Sequence, residues 1–116
     1  MSYLGGLRAD IITSQDLSAG PLSYTTSIGR KFRLKEIAFK FSGAVTETIT
    51  ITRDSKQGAS YDTPLLTMTI TDKTSYIFRP EGGIDFQDGD EIKIQCTNSG
   101  PAETVYVTIK AWEILQ

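Results

Sequence analysis

The 116-residue sequence contains no histidine and a single cysteine, Cys96. Without histidine the chain lacks the base of a Ser–His–Asp triad, the partner of a catalytic Cys–His pair and the imidazole ligand of most zinc and iron sites. One cysteine excludes an internal disulfide, which rules out the small disulfide-stapled scaffolds of secreted proteins. These two absences remove several large classes of enzyme and of secreted domain.

Long apolar runs and an excess of basic residues are also missing. No apolar run approaches the ~18 residues that a membrane-spanning helix requires, and the N-terminus lacks the basic and apolar pattern of a signal peptide. The 12 basic and 14 acidic residues give a net charge of −2, whereas nucleic-acid binding needs a concentrated basic face. We therefore expect a chain that is made in the cytoplasm and binds neither a membrane nor a nucleic acid.

The sequence does contain repeated alternation of apolar and polar residues. The pattern is clearest at residues 45–52, 66–71, 92–96 and 105–112. Such alternation buries one face of a strand and leaves the other in water, which is typical of antiparallel sheets. The predicted strands are 9–14, 22–26, 32–41, 46–53, 64–71, 74–79, 91–97 and 104–115.

Turn-forming residues separate these stretches at intervals that are typical of a sandwich or small barrel. The predicted turns are 42–43, 54–58, 72–73, 81–83, 88–90 and 98–101. We predict an all-β domain, an antiparallel, jelly-roll-like β-sandwich of seven to eight strands. Residues 1–30, in which alternation is weak, are expected to form an N-terminal arm or edge strand of the same unit, and residues 31–116 the sandwich itself.

The third predicted strand changes parity. Phe32 and Leu34 share one parity, whereas the next three large apolar residues share the other. A bulge near residues 35–36 would turn both sets toward the core. Alternatively, the strand crosses from one sheet to the other.

An acidic turn is the one candidate metal site. Asp85, Asp88 and Asp90 could supply hard oxygen ligands for Ca²⁺, but their spacing does not match that of an EF-hand loop. The simpler interpretation, which we favour, is a tight turn with solvated carboxylates. We expect no metal and no cofactor.

Aromatic and apolar residues near the two ends of the chain are candidates for contact with a partner. Tyr106 and Trp112 have the parity opposite to the apolar face of the last strand, so they could form a platform for a sugar ring. The interpretation that we favour is that Trp112 and Ile114 cover a second core or a subunit contact. Leu22 and Tyr24, in the weakly alternating N-terminal segment, are further candidates for a partner contact.

No catalytic motif is present. The sequence contains neither a Gly-x-Ser-x-Gly elbow nor a phosphate-binding Gly-x-x-x-x-Gly-Lys loop. Glu36 and Glu47 have no identifiable second carboxylate with which to form a glycosidase pair. Cys96 alternates with apolar residues and is predicted to lie in the core. We expect that the protein is not an enzyme.

Five segments carry a resemblance to a known group of proteins. They are 34–42 (LKEIAFKFS), 48–55 (TITITRDS), 58–66 (GASYDTPLL), 86–94 (FQDGDEIKI) and 97–99 (TNS). In this order the series resembles small all-β virion structural proteins of tailed bacteriophages and prophages, over roughly residues 30–115. The resemblance rests on the order of strands and turns and brings no catalytic residues with it.

The resemblance implies a virion protein, made in the host cytoplasm, that acts as a capsid decoration (cement) protein. Its partners would be the major capsid protein or another virion protein and further copies of itself, with a homotrimer expected at a three-fold position. The N-terminal segment is the candidate element for reaching a neighbour. Two alternatives stay open, namely a carbohydrate- or receptor-binding module of a fibre or baseplate, and a head–tail or tail connector.

Overall fold

The computed structural model describes residues 3–27, 29–100 and 102–115, and the side chains of residues 10–27, 29–100 and 102–114. Pro101, the last residue of the predicted turn 98–101, lies outside the described residues. The strands in chain order are β1 (Tyr3–Asp16), β2 (Leu22–Thr26), β3 (Phe32–Asp54), β4 (Thr63–Phe78), β5 (Ile84–Phe86), β6 (Glu91–Cys96) and β7 (Thr104–Leu115). A short 3-10 helix (Ala59–Tyr61) lies between β3 and β4. All strand pairs are antiparallel, so the prediction of an all-β, jelly-roll-like sandwich is confirmed.

The strand β3 is long enough to belong to both layers. Residues 32–41 of β3 pair with β7, and residues 49–54 pair with β6. On the other side of β3, β4 pairs along both parts and β5 pairs with residues 32–34. We call the layer that contains β1, β7, the first part of β3, the end of β4 and β5 sheet I. Sheet II contains β2, β6, the second part of β3 and the start of β4.

Two of the predicted turns are bends inside continuous strands. Predicted strands 32–41 and 46–53 form the single strand β3, and predicted strands 64–71 and 74–79 form the single strand β4. The β3–β4 register shifts between Lys40 and Val45, and Asp72 has a positive φ of 53°. The unpaired residues therefore bend the hairpin from one sheet into the other instead of reversing the chain.

The change of parity in β3 is caused by the predicted bulge, since the crossing between the sheets lies farther along the strand. The β3–β7 register shifts between Leu34 and Glu36, which is the predicted bulge. As a result Phe32, Leu34 and Ile37 are all fully buried. The strand then crosses between the sheets at the bend that follows residue 41.

A single apolar core receives side chains from both sheets. Its fully buried large residues are Leu17, Phe32, Leu34, Ile37, Phe39, Ile49, Ile51, Phe86, Ile92, Ile94 and Ile109. The rings of Phe32 and Phe86 stack with centroids 4.7 Å apart, which attaches the short strand β5 to β3. No sequence signal predicted β5, because three residues are too few to show alternation.

The segment before residue 30 contributes two edge strands. β1 pairs with β7 from the Asp16–Thr104 pair to the Tyr3–Leu115 pair, well beyond the predicted strand 9–14. β2 pairs with β6. The side chains of residues 3–9 lie outside those described. No helix among the described residues is long and apolar enough to cross a membrane.

Candidate functional site

The outer face of sheet I carries a row of residues that lie directly opposite one another on four strands. Ile12 of β1 lies opposite Thr108 of β7, Thr108 lies opposite Ala38 of β3, and Ala38 lies opposite Ile77 of β4. Three of the four residues are apolar, and Thr108 presents a methyl group beside its hydroxyl; we call the four residues the apolar row. Ile12 is 75% exposed and Ile77 is 51% exposed, so both ends of the apolar row present large aliphatic side chains to water.

Polar residues border the apolar row on both sides. The row toward the bend consists of Ser14, Tyr106, Lys40 and Ser75, and the row on the other side contains Asp10, Lys110 and Glu36. Tyr106 is half-exposed, at 51%. An apolar centre within a polar and charged rim has the composition of a protein–protein contact surface. We call the apolar row together with Tyr106 the contact patch.

A groove of about 410 Å³ lies at the other end of the same face. β7 supplies Lys110 and Trp112, β3 supplies Lys35 and Glu36, and the segment from the end of β4 to β5 supplies residues 79–82. We call it the Trp112 groove. Trp112 is half-buried within the chain, so the rest of its indole forms part of the groove surface.

Glu36 organises one wall of the Trp112 groove. Its Oε1 accepts hydrogen bonds from Arg79 Nε at 2.9 Å and from Arg79 Nη2 at 2.7 Å. Its Oε2 lies 3.8 Å from Lys110 Nζ. Because Glu36 is only 15% exposed, the ion pair with Arg79 is partly shielded from water, and it ties the segment that follows β4 to sheet I.

The structure separates the two aromatic residues that could form a joint platform. Tyr106 and Trp112 both point to the outer face, as their parity predicts, but six residues of one strand separate them by about 20 Å. Tyr106 belongs to the contact patch and Trp112 to the Trp112 groove. A single sugar ring therefore cannot rest on both.

The other three candidate contact residues lie mostly in the interior of the chain. Leu22 lies opposite Cys96 on the core side of β2 and is 4% exposed. Tyr24 is half-buried against the core. Ile114 is 6% exposed, and its backbone N–H donates to the carbonyl of Lys31 at 3.0 Å. The chain itself covers Leu22 and Ile114, so neither side chain provides a contact surface for another molecule.

The three aspartates of the acidic turn do not converge on one site. Asp85 accepts a hydrogen bond from Arg33 Nε at 2.6 Å. Asp90 is buried and accepts backbone N–H groups from Gln87 at 3.0 Å and Lys56 at 3.1 Å, whereas Asp88 is exposed. Within the described ranges, no group of three or more Cys, Asp or Glu residues is arranged to hold a metal ion.

Sequence reasoning missed Arg79 and treated Glu36 as an isolated carboxylate. The two residues are 43 positions apart, and they meet only because β4 pairs with the first part of β3. The signal that was present is the shared parity of Lys110 and Trp112, which places both on the outer face of β7. Nothing in the local pattern of residues 79–82 indicates a groove wall.

No protein-family model matches the chain, and no curated protein is significantly similar to it in sequence. Solved structures share its fold. A family 32 carbohydrate-binding module from C. perfringens NanJ, in complex with galactose, has a TM-score of 0.57 and 12% identity over 87% of this chain and 93% of that chain. A Bacillus endospore appendage protein has a TM-score of 0.50 and 16% identity over 95% and 88%.

A third similar structure is that of a virus-like particle of the extra small virus of the giant freshwater prawn Macrobrachium rosenbergii. It matches with a TM-score of 0.38 and 16% identity over 98% of this chain and 83% of that chain, and a score this low carries no argument. The two better matches establish the fold class alone, a jelly-roll β-sandwich of seven antiparallel strands. They identify no specific family.

Proposed function

We propose that the chain is a non-enzymatic structural protein of a tailed-bacteriophage particle and that it decorates the capsid by binding between capsid subunits. The observation that carries this proposal is the apolar row across four strands of sheet I, with Ile12 and Ile77 exposed at its ends. Exposed apolar area favours burial by about 25 cal/mol per Å². A broad sheet face suits another protein better than a small molecule, because it offers no enclosure.

The size of the contact patch favours binding in many copies. Four strands spaced by about 4.8 Å and a length of about five residues, which includes the apolar row and its two polar borders, give an area of roughly 300 Å². A stable interface buries about 800 Å² on each partner. One copy would therefore bind weakly through this patch, whereas several linked copies would gain strongly from effective concentration.

The need for several linked copies supports the homotrimer that is implied by the resemblance to virion proteins of tailed bacteriophages. Three copies of the contact patch would engage three equivalent capsid subunits around a three-fold axis. Charges of both signs lie beside the patch, namely the basic Lys40 and Lys110 and the acidic Glu36. Such charges set the orientation and the choice of partner more than the affinity.

Binding to capsids tests this function. The probe is a preparation of capsids from the phage or prophage that encodes the chain, assembled without this protein. We expect the wild-type chain to sediment with these capsids. Ile12→Asp and Ile77→Asp place a charge in the contact patch and should each raise the dissociation constant for the capsid about tenfold.

Tyr61→Asp is the matched control, because Tyr61 is also a large exposed residue but lies at the turn between β3 and β4. It should bind like the wild type. Failure of the wild-type chain to bind would contradict capsid decoration. Normal binding by both isoleucine variants would contradict the contact patch.

A further inference from the structure

The Trp112 groove is separate from the contact patch. Trp112 is four residues along β7 from Thr108, a distance of about 13 Å, and the charged pair Lys110–Glu36 lies between them. The groove has a volume of about 410 Å³, within the range of small-molecule sites. Its walls come from three separate chain segments, so its shape depends on the folded sheet.

The charges of the groove are mixed. Lys35, Arg79 and Lys110 supply hydrogen-bond donors, and Glu36 and Glu81 supply acceptors, so that three positive charges face two negative ones. An apolar ligand would find only Trp112 and Pro80 as partners and would bury the charges without compensation. This lining therefore favours a ligand that both donates and accepts hydrogen bonds, and its small net charge suits a neutral one.

Hydroxyl groups meet this requirement, because each is one donor and two acceptors. Arg79 uses Nε and Nη2 for Glu36 and keeps Nη1 for another acceptor. The 3.8 Å between Lys110 Nζ and Glu36 Oε2 exceeds a hydrogen-bond length. A hydroxyl to one side of this pair, about 2.8 Å from both atoms, would accept from the lysine and donate to the carboxylate.

Trp112 favours a ligand that also has an apolar face. The indole is half-buried among its neighbours, so it is held in place and offers a flat surface at low entropic cost. A pyranose ring combines one face of C–H groups with a rim of hydroxyls. It therefore matches the indole and the charged walls at the same time.

We propose that the Trp112 groove binds a neutral saccharide. One sugar ring stacks on Trp112, and its hydroxyls bind Arg79, Lys110 and Glu36. This site is centred on Trp112, outside the contact patch, and shares with the border of that patch only Lys110 and Glu36.

The single tryptophan of the chain is the reporter. The full chain is titrated with the methyl glycosides of glucose, galactose, mannose and N-acetylglucosamine, with N-acetylneuraminic acid as the charged comparison and sorbitol as the non-cyclic control. We expect a saturable change in Trp112 emission with at least one neutral glycoside and none with sorbitol. Calorimetry on the same samples gives the affinity without relying on fluorescence.

Substitution of an exposed residue of the groove tests the site. Arg79→Ala, at a side chain that is 68% exposed, should weaken binding about tenfold, because it removes a charged hydrogen-bond donor. Arg53→Ala is the matched control, since Arg53 lies in a different groove beside Gln87, and it should bind like the wild type. Ile12→Asp should also bind normally, which separates this site from capsid binding.

Three results would overturn the proposal. The first is the absence of a saturable response to every neutral glycoside. The second is binding of N-acetylneuraminic acid alone, which would assign the groove to an anion. The third is binding that Arg79→Ala leaves unchanged, which would place the saccharide elsewhere on the chain.

Discussion

The backbone N–H of Ser99 lies 2.9 Å from each of the two carboxylate oxygens of Glu47. The hydroxyl of Thr97 donates to the same carboxylate at 2.7 Å. Glu47 is 2% exposed and follows the bend of β3. The segment that connects β6 to β7 is therefore fixed to the point at which β3 passes from sheet I to sheet II.

Replacing Glu47 should destabilise the fold. Glu47→Ala removes the buried, charged acceptor of the hydrogen bonds from Thr97 and Ser99, and we expect the free energy of unfolding to fall by about 2–3 kcal/mol. Glu47→Gln keeps an acceptor oxygen and should cost less. Urea unfolding measures both, with the exposed Glu91→Ala as control. Equal stability of Glu47→Ala and the wild type would contradict a supporting role at the bend.

Alanine substitutions at two adjacent glycines separate the effect of backbone strain from that of steric contact. Gly82 and Gly83 have φ values of 74° and 77°, so alanine at either position incurs the left-handed penalty of about 1–2 kcal/mol. A Cβ at Gly83 would also lie 2.9 Å from the carbonyl oxygen of Leu34, whereas a Cβ at Gly82 meets no described atom within 4 Å. Gly83→Ala should therefore be less stable than Gly82→Ala by about 1–3 kcal/mol. Equal thermal stabilities of the two variants would contradict this close approach.

The pKa of the Cys96 thiol is raised from 9.0 to about 12, chiefly by burial and to a lesser extent by the nearby Glu47 carboxylate. Above pH 9 the unfolded chain releases the thiol proton and the folded chain keeps it, so this group lowers stability as the pH rises. Below pH 9 it contributes no pH dependence. Cys96→Ala should therefore lose less stability than the wild type above pH 9, as measured by urea unfolding. Parallel pH profiles of the two proteins would contradict the raised pKa.

The proposed trimer predicts a mass in solution. Light scattering on a sizing column should give about three times the chain mass of 12.8 kDa. Ile12→Asp should leave this mass unchanged, since the contact patch is assigned to the capsid and not to other copies. A monomeric mass for the wild-type chain would contradict the proposed trimer. It would also remove the increase in effective concentration on which tight capsid binding depends.

Truncation is not a clean test of whether the N-terminal segment contacts a neighbouring subunit. Removing residues 1–20 would delete β1 and expose the side of β7 that β1 covers. Loss of capsid binding by that truncation would then report unfolding as readily as a lost contact. Single substitutions on the outer face of β1, such as Ile12→Asp, avoid this problem.

The fold was largely predictable because alternation reports which side chains are buried, and burial on one face defines a strand. The bends at residues 42–43 and 72–73 could not be predicted, because Gly, Asp and Ser occur both where a chain reverses in a turn and where a continuous strand bends. Only pairing with β6, β7 and β4 shows that the chain continues, and pairing is a long-range property. The outward orientation of Tyr106 and Trp112 followed from parity, whereas the Arg79–Glu36 pair depends on the register of β3 and β4.

Cryo-electron microscopy of particles from the encoding phage tests the central claim most directly. Capsid decoration predicts copies of the chain at regular positions between capsid subunits on the outer surface of the head, with Ile12 and Ile77 against the shell. Density for the chain confined to a connector, tail or fibre, or particles that lack the chain, would contradict the claim.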